Sequence, residues 1–164
     1  MRRVAAAMLA AAVGIGVFGV AAPAGAASTG TSKACATLTR AEITATFGQP
    51  AGKASDDLGS AFCQWDLAAT DSRARGQVNA FVARGKAAKR DYVPMANAVG
   101  DRQEVPGIGR TAFYRPSTGT LFVLVDGATF FYVQANLYAD AQTRITDGVE
   151  DGLVQLATTA VARL

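Results

Sequence analysis

Histidine is absent from the 164-residue sequence, and cysteine and tryptophan are scarce, with two and one copies. Because imidazole is the base of the common serine and cysteine hydrolases, a histidine-free chain excludes Ser-His and Cys-His catalysis. The same absence removes the commonest nitrogen ligand of zinc. The sequence therefore predicts no metal site, no cofactor and no catalytic residue, and we expect a protein that is not an enzyme.

Long apolar runs are confined to the N-terminus. Arg2 and Arg3 precede an uncharged stretch that ends near Ala22, and Ala24-Gly25-Ala26 supplies the small residues that signal peptidase requires. This order predicts a cleavable signal peptide over residues 1–26. A retained transmembrane anchor is the alternative, since the stretch approaches the roughly 20 residues of a membrane span. The Ala- and Gly-rich composition and the cleavage motif favour removal.

Lipidation is not expected at the first cysteine. A lipidated cysteine directly follows a Leu-small-small tripeptide, whereas Cys35 follows Ser32-Lys33-Ala34. We therefore expect a secreted, extracytoplasmic protein with neither a lipid nor a transmembrane anchor. A flexible polar linker is predicted over residues 27–34, and a single domain over residues 35–164.

The excess of basic residues nearly disappears once the signal peptide is removed. Arg2 and Arg3 are removed with it. The remaining chain has 14 of the 16 Lys and Arg residues and all 13 Asp and Glu residues, which gives a net charge of +1. Such a balance does not indicate a nucleic-acid partner. The 138 residues that remain of 164 are enough for one ordinary domain, which we expect to be a monomer.

Cys35 and Cys63 are predicted to form a disulfide. An even cysteine count in an exported chain indicates a bridge, and the spacing excludes a redox Cys-x-x-Cys motif. Two buried free thiols are the alternative.

The clearest local signal is a helix start near residue 40. Thr39 and Glu42 have the spacing of a capping box, and Gly48 followed by Pro50 is typical of a helix end. The sequence therefore predicts a short helix over residues 40–47.

Alternating apolar residues and turn signals predict about five strands downstream of this helix. Asp126-Gly127 is a strong signal for a hairpin turn between the last two strands. The predicted strands cover residues 61–67, 76–83, 111–114, 120–125 and 129–136.

A C-terminal helix is predicted after Asp140, which is a plausible N-cap, with Ile145 on its apolar stripe. Residues 84–104 are interpreted as a long surface loop with at most two helical turns. The predicted fold class is α+β: one mostly antiparallel sheet of about five strands, packed by a short N-terminal helix and a C-terminal helix.

Two weak signals for enzymatic chemistry remain open. Asp56-Asp57 is an adjacent carboxylate pair in a predicted loop, where a solvated loop is the ordinary interpretation. A Ser/Lys dyad is compatible with the composition through Ser60, Ser72 or Ser117, although nothing in the sequence positions a lysine beside them. Gly107-Ile-Gly109 is interpreted as a turn into a strand, not as part of a dinucleotide motif.

A basic segment is the candidate binding patch. Arg84, Lys86, Lys89 and Arg90 lie close in the sequence and would attract an anionic partner such as lipid head groups or wall polymers. A solvated edge in which charge prevents aggregation is the alternative.

The aromatic residues of the predicted meander form either plain core or the lining of an apolar ligand pocket. Phe130 and Phe131 must lie on opposite faces of one strand, so that some of the set leaves the main core. The set comprises Phe113, Tyr114, Phe122, Phe130, Phe131, Tyr132 and Tyr138.

The chain resembles actinobacterial exported domains of unknown function, many of which are lipoproteins. The resemblance rests on Cys35-Ala-Thr-Leu-Thr-Arg-Ala-Glu-Ile…Phe-Gly48, on Cys63-Gln-Trp65, and on Val105-Pro-Gly-Ile-Gly109-Arg-Thr-Ala. It covers essentially residues 35–164 and implies an antiparallel sheet between helices, with a sensor-like or lipid-binding role. The chain departs from the lipoprotein members because it lacks the lipidated cysteine.

These observations predict a secreted, non-enzymatic domain that binds a protein partner or an apolar small molecule at the cell envelope. An extracytoplasmic hydrolase with a carboxylate or Ser/Lys site is one alternative. A structural or inhibitory protein that presents the basic 84–90 segment to a partner is the other.

Overall fold

The computed structural model describes residues 33–98 and 100–164. The predicted signal peptide over residues 1–26, and all of the predicted linker except Lys33 and Ala34, lie outside the described residues. Within the described ranges the elements are α1 (Arg40–Phe47), β1 (Phe62–Leu67), β2 (Gly76–Arg84), α2 (Lys86–Asn97), β3 (Gln103–Glu104), β4 (Thr111–Arg115), β5 (Thr120–Leu124), β6 (Thr129–Asn136) and α3 (Val149–Val161).

One six-stranded sheet with the order β1-β2-β6-β5-β4-β3 forms the centre of the fold. Every neighbouring pair of strands is antiparallel. This confirms the predicted α+β class, and the two-residue β3 adds one strand to the five expected. The bounds of the other five strands agree with the prediction to within one residue, because runs of apolar, β-branched and aromatic residues between turn residues define them locally.

Helices α1 and α3 cover one face of the sheet, which we call the first face. Trp65 of β1 and Phe131 of β6 are almost completely buried there, together with Leu153 and Leu156 of α3. Cys35 and Cys63 form the predicted disulfide, with their Cα atoms 5.0 Å apart. The bridge joins the segment before α1 to β1 at the edge of this core.

Helices α1 and α3 pack closely against each other at Gly152. A Cβ atom at this position would lie 2.7 Å from a ring carbon of Phe47, which is closer than real Cβ contacts. Glycine at this position therefore allows the close approach of α1 and α3.

The predicted start and end of α1 are confirmed. Thr39 accepts a hydrogen bond from the Glu42 amide, and the Glu42 carboxylate accepts one from the Thr39 amide at 2.8 Å. Gly48 has a φ of 67° and ends the helix in the left-handed conformation.

An ion pair joins the start of α1 to the end of α3. The Arg163 guanidinium binds the Glu42 carboxylate, with one N···O distance of 3.0 Å, and also donates to the Thr37 carbonyl oxygen at 2.8 Å. This contact with Arg163 is the main reason why the pKa of Glu42 falls from 4.5 to about 2.

Glu42→Gln removes this charge but retains a side chain that can complete the capping box. Because the folded pKa lies below the unfolded value, the ion pair stabilises the protein above pH 4.5 and this contribution is lost as the pH falls towards 2. We expect the variant to lose about 1–2 kcal/mol of unfolding free energy at pH 7, a value reduced for solvent screening. Urea unfolding at several pH values measures the stability difference between the wild type and the variant. If this difference were the same at pH 7 and near pH 2, the stabilising role of the Glu42–Arg163 ion pair would be contradicted.

Helix α2 covers the opposite face, which we call the second face. Ala88 is completely buried, and Tyr92 and Met95 pack against the aromatic cluster that contains Phe113 and Phe130. The interpretation of residues 84–104 as a long loop with at most two helical turns is therefore wrong for Lys86–Asn97, which is a 12-residue helix. This helix is stabilised by packing on the aromatic surface of the sheet, which the local sequence of the segment does not indicate.

Helix α3 begins later than predicted. Its N-cap is Gly148, with a φ of 71°, and not Asp140. Asp140 instead accepts hydrogen bonds from the amides of Gln142 and Thr143, at 2.8 and 2.7 Å, and so holds a turn. Ile145 consequently precedes the helix.

Lys33 and Ala34 open a turn over residues 33–37. Ala34 is completely buried, and its carbonyl oxygen accepts hydrogen bonds from the amide and hydroxyl of Thr37.

Candidate functional site

The predicted basic patch is brought together around the first half of α2, but its members differ in their contacts. Arg84 ends β2 and donates to the carbonyl oxygen of Leu164 at 3.0 Å. Arg90 forms an exposed ion pair with Asp91. Lys86 and Lys89 are exposed and form no side-chain hydrogen bond or ion pair with the described residues. The free positive charge of the patch is therefore concentrated on these two lysines.

A groove of about 400 Å³ opens beside Lys89, between α2 and strands β4 and β5. Arg110, which precedes β4, lies on the other side of the groove, and its side chain also has no hydrogen-bonding or ionic partner among the described residues. The groove is lined by Lys89, Tyr92, Val93, Arg110, Thr111, Leu124 and Gly127.

Tyr92 lines the groove and connects α2 to the sheet. Its hydroxyl shares a hydrogen bond with the Thr111 hydroxyl at 2.8 Å. Its ring packs edge-on against Phe130, with centroids 5.5 Å apart, and tilted against Phe113 at 6.2 Å. These contacts connect one lining residue of the groove to the packed second-face core.

Apolar surface is exposed next to the two unpaired cations. Val93 is 49% exposed, one of two large aliphatic side chains that are exposed among the described residues. Leu124 is half-buried on the opposite wall. The groove therefore combines an apolar lining with a positively charged rim at Lys89 and Arg110, and such a combination is suited to an anionic amphiphile.

The start of α2 adds to the positive potential. Gly85 precedes the helix without a side-chain cap, and the first turn carries Lys86 but no acidic residue. Cations beside a helix N-terminus are unfavourable because the helix dipole is positive at this end. An anion bound near Lys86 and Lys89 would relieve part of this repulsion.

The carboxylate of Asp126, next to the groove residue Gly127, is already engaged. Asp126, in the β5–β6 turn, accepts hydrogen bonds from the Ala128 amide and the Thr129 hydroxyl. The Ala128 contact is the main cause of the lowered pKa of Asp126. This carboxylate is therefore held by its own turn and does not pair with Lys89 or Arg110.

The two weak enzymatic signals do not converge on a site. Asp57 accepts a hydrogen bond from the Ser55 hydroxyl at 2.6 Å, and Asp56 and Asp57 are both exposed. Ser117 donates to Asp101 at 2.8 Å, and no serine is hydrogen-bonded to a lysine in residues 33–98 and 100–164. In the same ranges no group of three His, Cys, Asp or Glu residues has metal-binding geometry.

The predicted aromatic set divides between the two faces. Phe131 and Tyr114 belong to the first-face core, whereas Phe113, Phe122, Phe130 and Tyr132 form a cluster under and beside α2. Arg110 is the functional candidate that sequence reasoning missed, because it lies 21 positions beyond Lys89 and only the folded chain brings the two together.

Gly107-Ile-Gly109 forms the expected turn into β4. A Cβ at Gly109 would lie 2.8 Å from the Leu124 carbonyl oxygen, and its φ is 56°. Glycine at this position therefore lets Arg110 approach β5 at the edge of the groove.

Comparison with protein-family models, with curated proteins and with solved structures gives no match for this chain. In the part of the chain that the structure describes, no helix is both long enough and apolar enough to cross a membrane.

Proposed function

We propose that this protein is an exported, non-enzymatic domain of the cell envelope that binds anionic phospholipid at a membrane surface through the groove beside α2. The observation that carries the proposal is the pair of unpaired cations, Lys89 and Arg110, on either side of an apolar groove. A phospholipid offers the matching chemistry, since an anionic phosphate adjoins an apolar glycerol and acyl region.

The arrangement assigns separate roles to the groove residues. Lys89 and Arg110 contact the phosphate, because both line the groove and both are exposed. Val93 and Tyr92 contact the apolar part of the lipid, and the exposed side chain of Val93 enters the interface. Lys86 adds long-range attraction to a negatively charged surface, of about 1 kcal/mol per basic residue.

Three observations support the proposed location. The Cys35–Cys63 disulfide is typical of oxidising, extracytoplasmic compartments. Residues 1–26 have the pattern of a signal peptide, and the resemblance to actinobacterial exported domains points the same way. An attachment that uses one groove and a few charges is reversible.

Vesicle sedimentation tests the proposal. Wild-type protein should co-sediment with vesicles of equal parts phosphatidylcholine and phosphatidylglycerol, and not with phosphatidylcholine alone. The double variant Lys89→Gln/Arg110→Gln should bind about 30-fold more weakly, which corresponds to about 2 kcal/mol for two neutralised cations. Lys53→Gln/Arg75→Gln is the matched control, because it removes one exposed lysine and one exposed arginine elsewhere on the surface.

Two further outcomes distinguish lipid binding from simple charge attraction. Val93→Ser should weaken binding at high salt as well as at low salt, since the apolar contact is not screened. Equal binding by the double variant and the control, or complete competition by soluble glycerol phosphate, would contradict the proposed lipid site.

A further inference from the structure

A second groove, of about 750 Å³, lies at the loop end of the β1–β2 hairpin. This volume is within the range that small-ligand sites have in proteins. The groove has no lining residue in common with the groove beside α2, so that the two are separate features of the surface. Its lining residues are Pro50, Ala51, Gly52, Asp66, Leu67, Ala68, Ala69, Arg75 and Gly76.

One wall of this groove is held by backbone hydrogen bonds between β1 and the segment that follows α1. The Gly52 amide donates to the Asp66 carbonyl oxygen at 2.7 Å, and the Ala68 amide donates to the Pro50 carbonyl oxygen at 2.9 Å. Both distances are those of well-formed amide hydrogen bonds. The segment is therefore fixed against β1, and a ligand that enters the groove does not have to order this wall.

Two opposite charges line the groove without neutralising each other. Asp66 and Arg75 are both exposed, and neither forms an ion pair within the described residues. Asp66 accepts a hydrogen bond from the Gln64 side chain through Oδ1, at 3.0 Å, which leaves Oδ2 available. The Arg75 guanidinium has no hydrogen-bonding partner in the part of the chain that the structure describes. The groove therefore presents one available anion and one available cation.

Strand register sets the spacing of these two charges. Asp66 of β1 lies opposite Gln77 of β2, and Arg75 comes two residues before Gln77. Residues in this diagonal relation share a face of the hairpin and lie about 7–8 Å apart. An extended peptide covers about 3.5 Å per residue, so that a dipeptide spans about 7 Å and a single amino acid about half of this. A dipeptide therefore fits the spacing of the two charges.

The rest of the lining suits small aliphatic side chains. Ala51, Ala68 and Ala69 contribute methyl groups and Pro50 contributes its ring, so that this part of the lining has no polar side chain. Small side chains leave space in the groove, and burial of ligand methyl groups there is favourable.

We infer that this groove binds a dipeptide of small aliphatic residues, whose ammonium group pairs with Asp66 and whose carboxylate pairs with Arg75. A guanidinium donates two parallel hydrogen bonds to a carboxylate, and the available Oδ2 of Asp66 accepts from an ammonium group. The dipeptide has no net charge, and neither does the pair of groove residues. The inference does not depend on the lipid site beside α2, where the available charges are all positive.

NMR titration of the ¹⁵N-labelled protein with L-alanyl-L-alanine at pH 7 tests the inference. The dipeptide should shift the backbone amide resonances of Gly52, Ala69 and Gly76, which line the groove. Its C-terminal amide and its N-acetyl derivative each lack one charge and should bind about fivefold more weakly, because an exposed ion pair contributes at most about 1 kcal/mol. Alanine is too short to reach both charges and should also bind more weakly than the dipeptide.

Variants of the two charged residues assign each of them to one end of the ligand. Arg75→Gln should bind the dipeptide about fivefold more weakly and should no longer distinguish it from the C-terminal amide. Asp66→Asn, which keeps an oxygen that can accept from Gln64, should no longer distinguish the dipeptide from the N-acetyl derivative. Lys53→Gln and Asp56→Asn are the matched controls, because each removes a nearby exposed charge that does not line the groove. Both should bind the dipeptide as the wild type does.

Unchanged backbone resonances of α3 show that each variant is folded. The inference is overturned if L-alanyl-L-alanine shifts no resonance of the groove, or if the shifts cluster at Lys89 and Arg110. It is also overturned if alanine binds as tightly as the dipeptide, or if Arg75→Gln still prefers the dipeptide to its C-terminal amide.

Discussion

Cys35→Ala/Cys63→Ala is expected to lower the free energy of unfolding by about 3–4 kcal/mol. The bridge joins residues that are 28 positions apart. A bridge across a loop of this length lowers the conformational entropy of the unfolded chain, and the chain-entropy relation gives about 3–4 kcal/mol for this effect. The bridge holds the segment before α1 against β1, where Cys63 is completely buried. Urea unfolding of the purified variant and of the wild type measures the difference.

Reduction of the wild-type protein provides the control, because it opens the bridge without changing a side chain. The reduced protein should lose about as much stability as the double variant. A loss below about 1 kcal/mol in both would show that the bridge does not restrict the unfolded state as proposed.

Phe130→Ala is expected to destabilise the protein by about 3–5 kcal/mol, as for other large-to-small changes at buried aromatic positions. Phe130 is completely buried, and its ring contacts those of Phe81, Tyr92, Phe122 and Tyr132. Because Tyr92 of α2 packs on the Phe130 ring, loss of this ring should also loosen α2. Urea unfolding measures the stability, and hydrogen exchange of the α2 amides measures the loosening.

Phe131→Ala is the matched control for the effect on α2. Phe131 is the next residue of β6, equally buried, but it lies in the first-face core under α1 and α3. The two variants should lose similar stability, and only Phe130→Ala should speed local exchange in α2. Equal acceleration in both would contradict the separation of the two cores.

The elements that could be predicted from the sequence are those with complete local signals. Helix α1 has a capping box at Thr39 and a terminating glycine at Gly48, and its predicted bounds are the observed ones. Strand β6 combines β-branched and aromatic residues with the preceding Asp126-Gly127 turn, and its bounds also agree.

Helix α2 could not be predicted because its local signals oppose a helix. Gly85 provides no side-chain cap, Lys86 stands in the first turn, and Pro94 lies inside the helix. Its stability comes from contacts of Ala88 and Tyr92 with the aromatic second face, and these contacts exist only in the folded chain. The start of α3 was misplaced for a related reason, since a capping residue such as Asp140 serves a turn equally well.

The candidate site likewise could be predicted only in part, because some of its residues meet only in the folded chain. The sequence singled out the basic residues near α2, and Lys89 does lie on the rim of the groove. The groove itself depends on Arg110 and Leu124, whose proximity follows from the β4–β5 pairing and the position of α2.

Hydrogen–deuterium exchange with and without vesicles that contain phosphatidylglycerol tests the central claim most directly, because it locates the lipid contact on the protein. We expect slower exchange in α2 and in the segment around Arg110, and no change in α1 or α3. The same vesicles without phosphatidylglycerol should leave exchange unaltered throughout. Unchanged exchange around α2 and Arg110 in the anionic vesicles, or slowing confined to α1 and α3, would contradict the assignment of the groove beside α2 as a lipid-binding site.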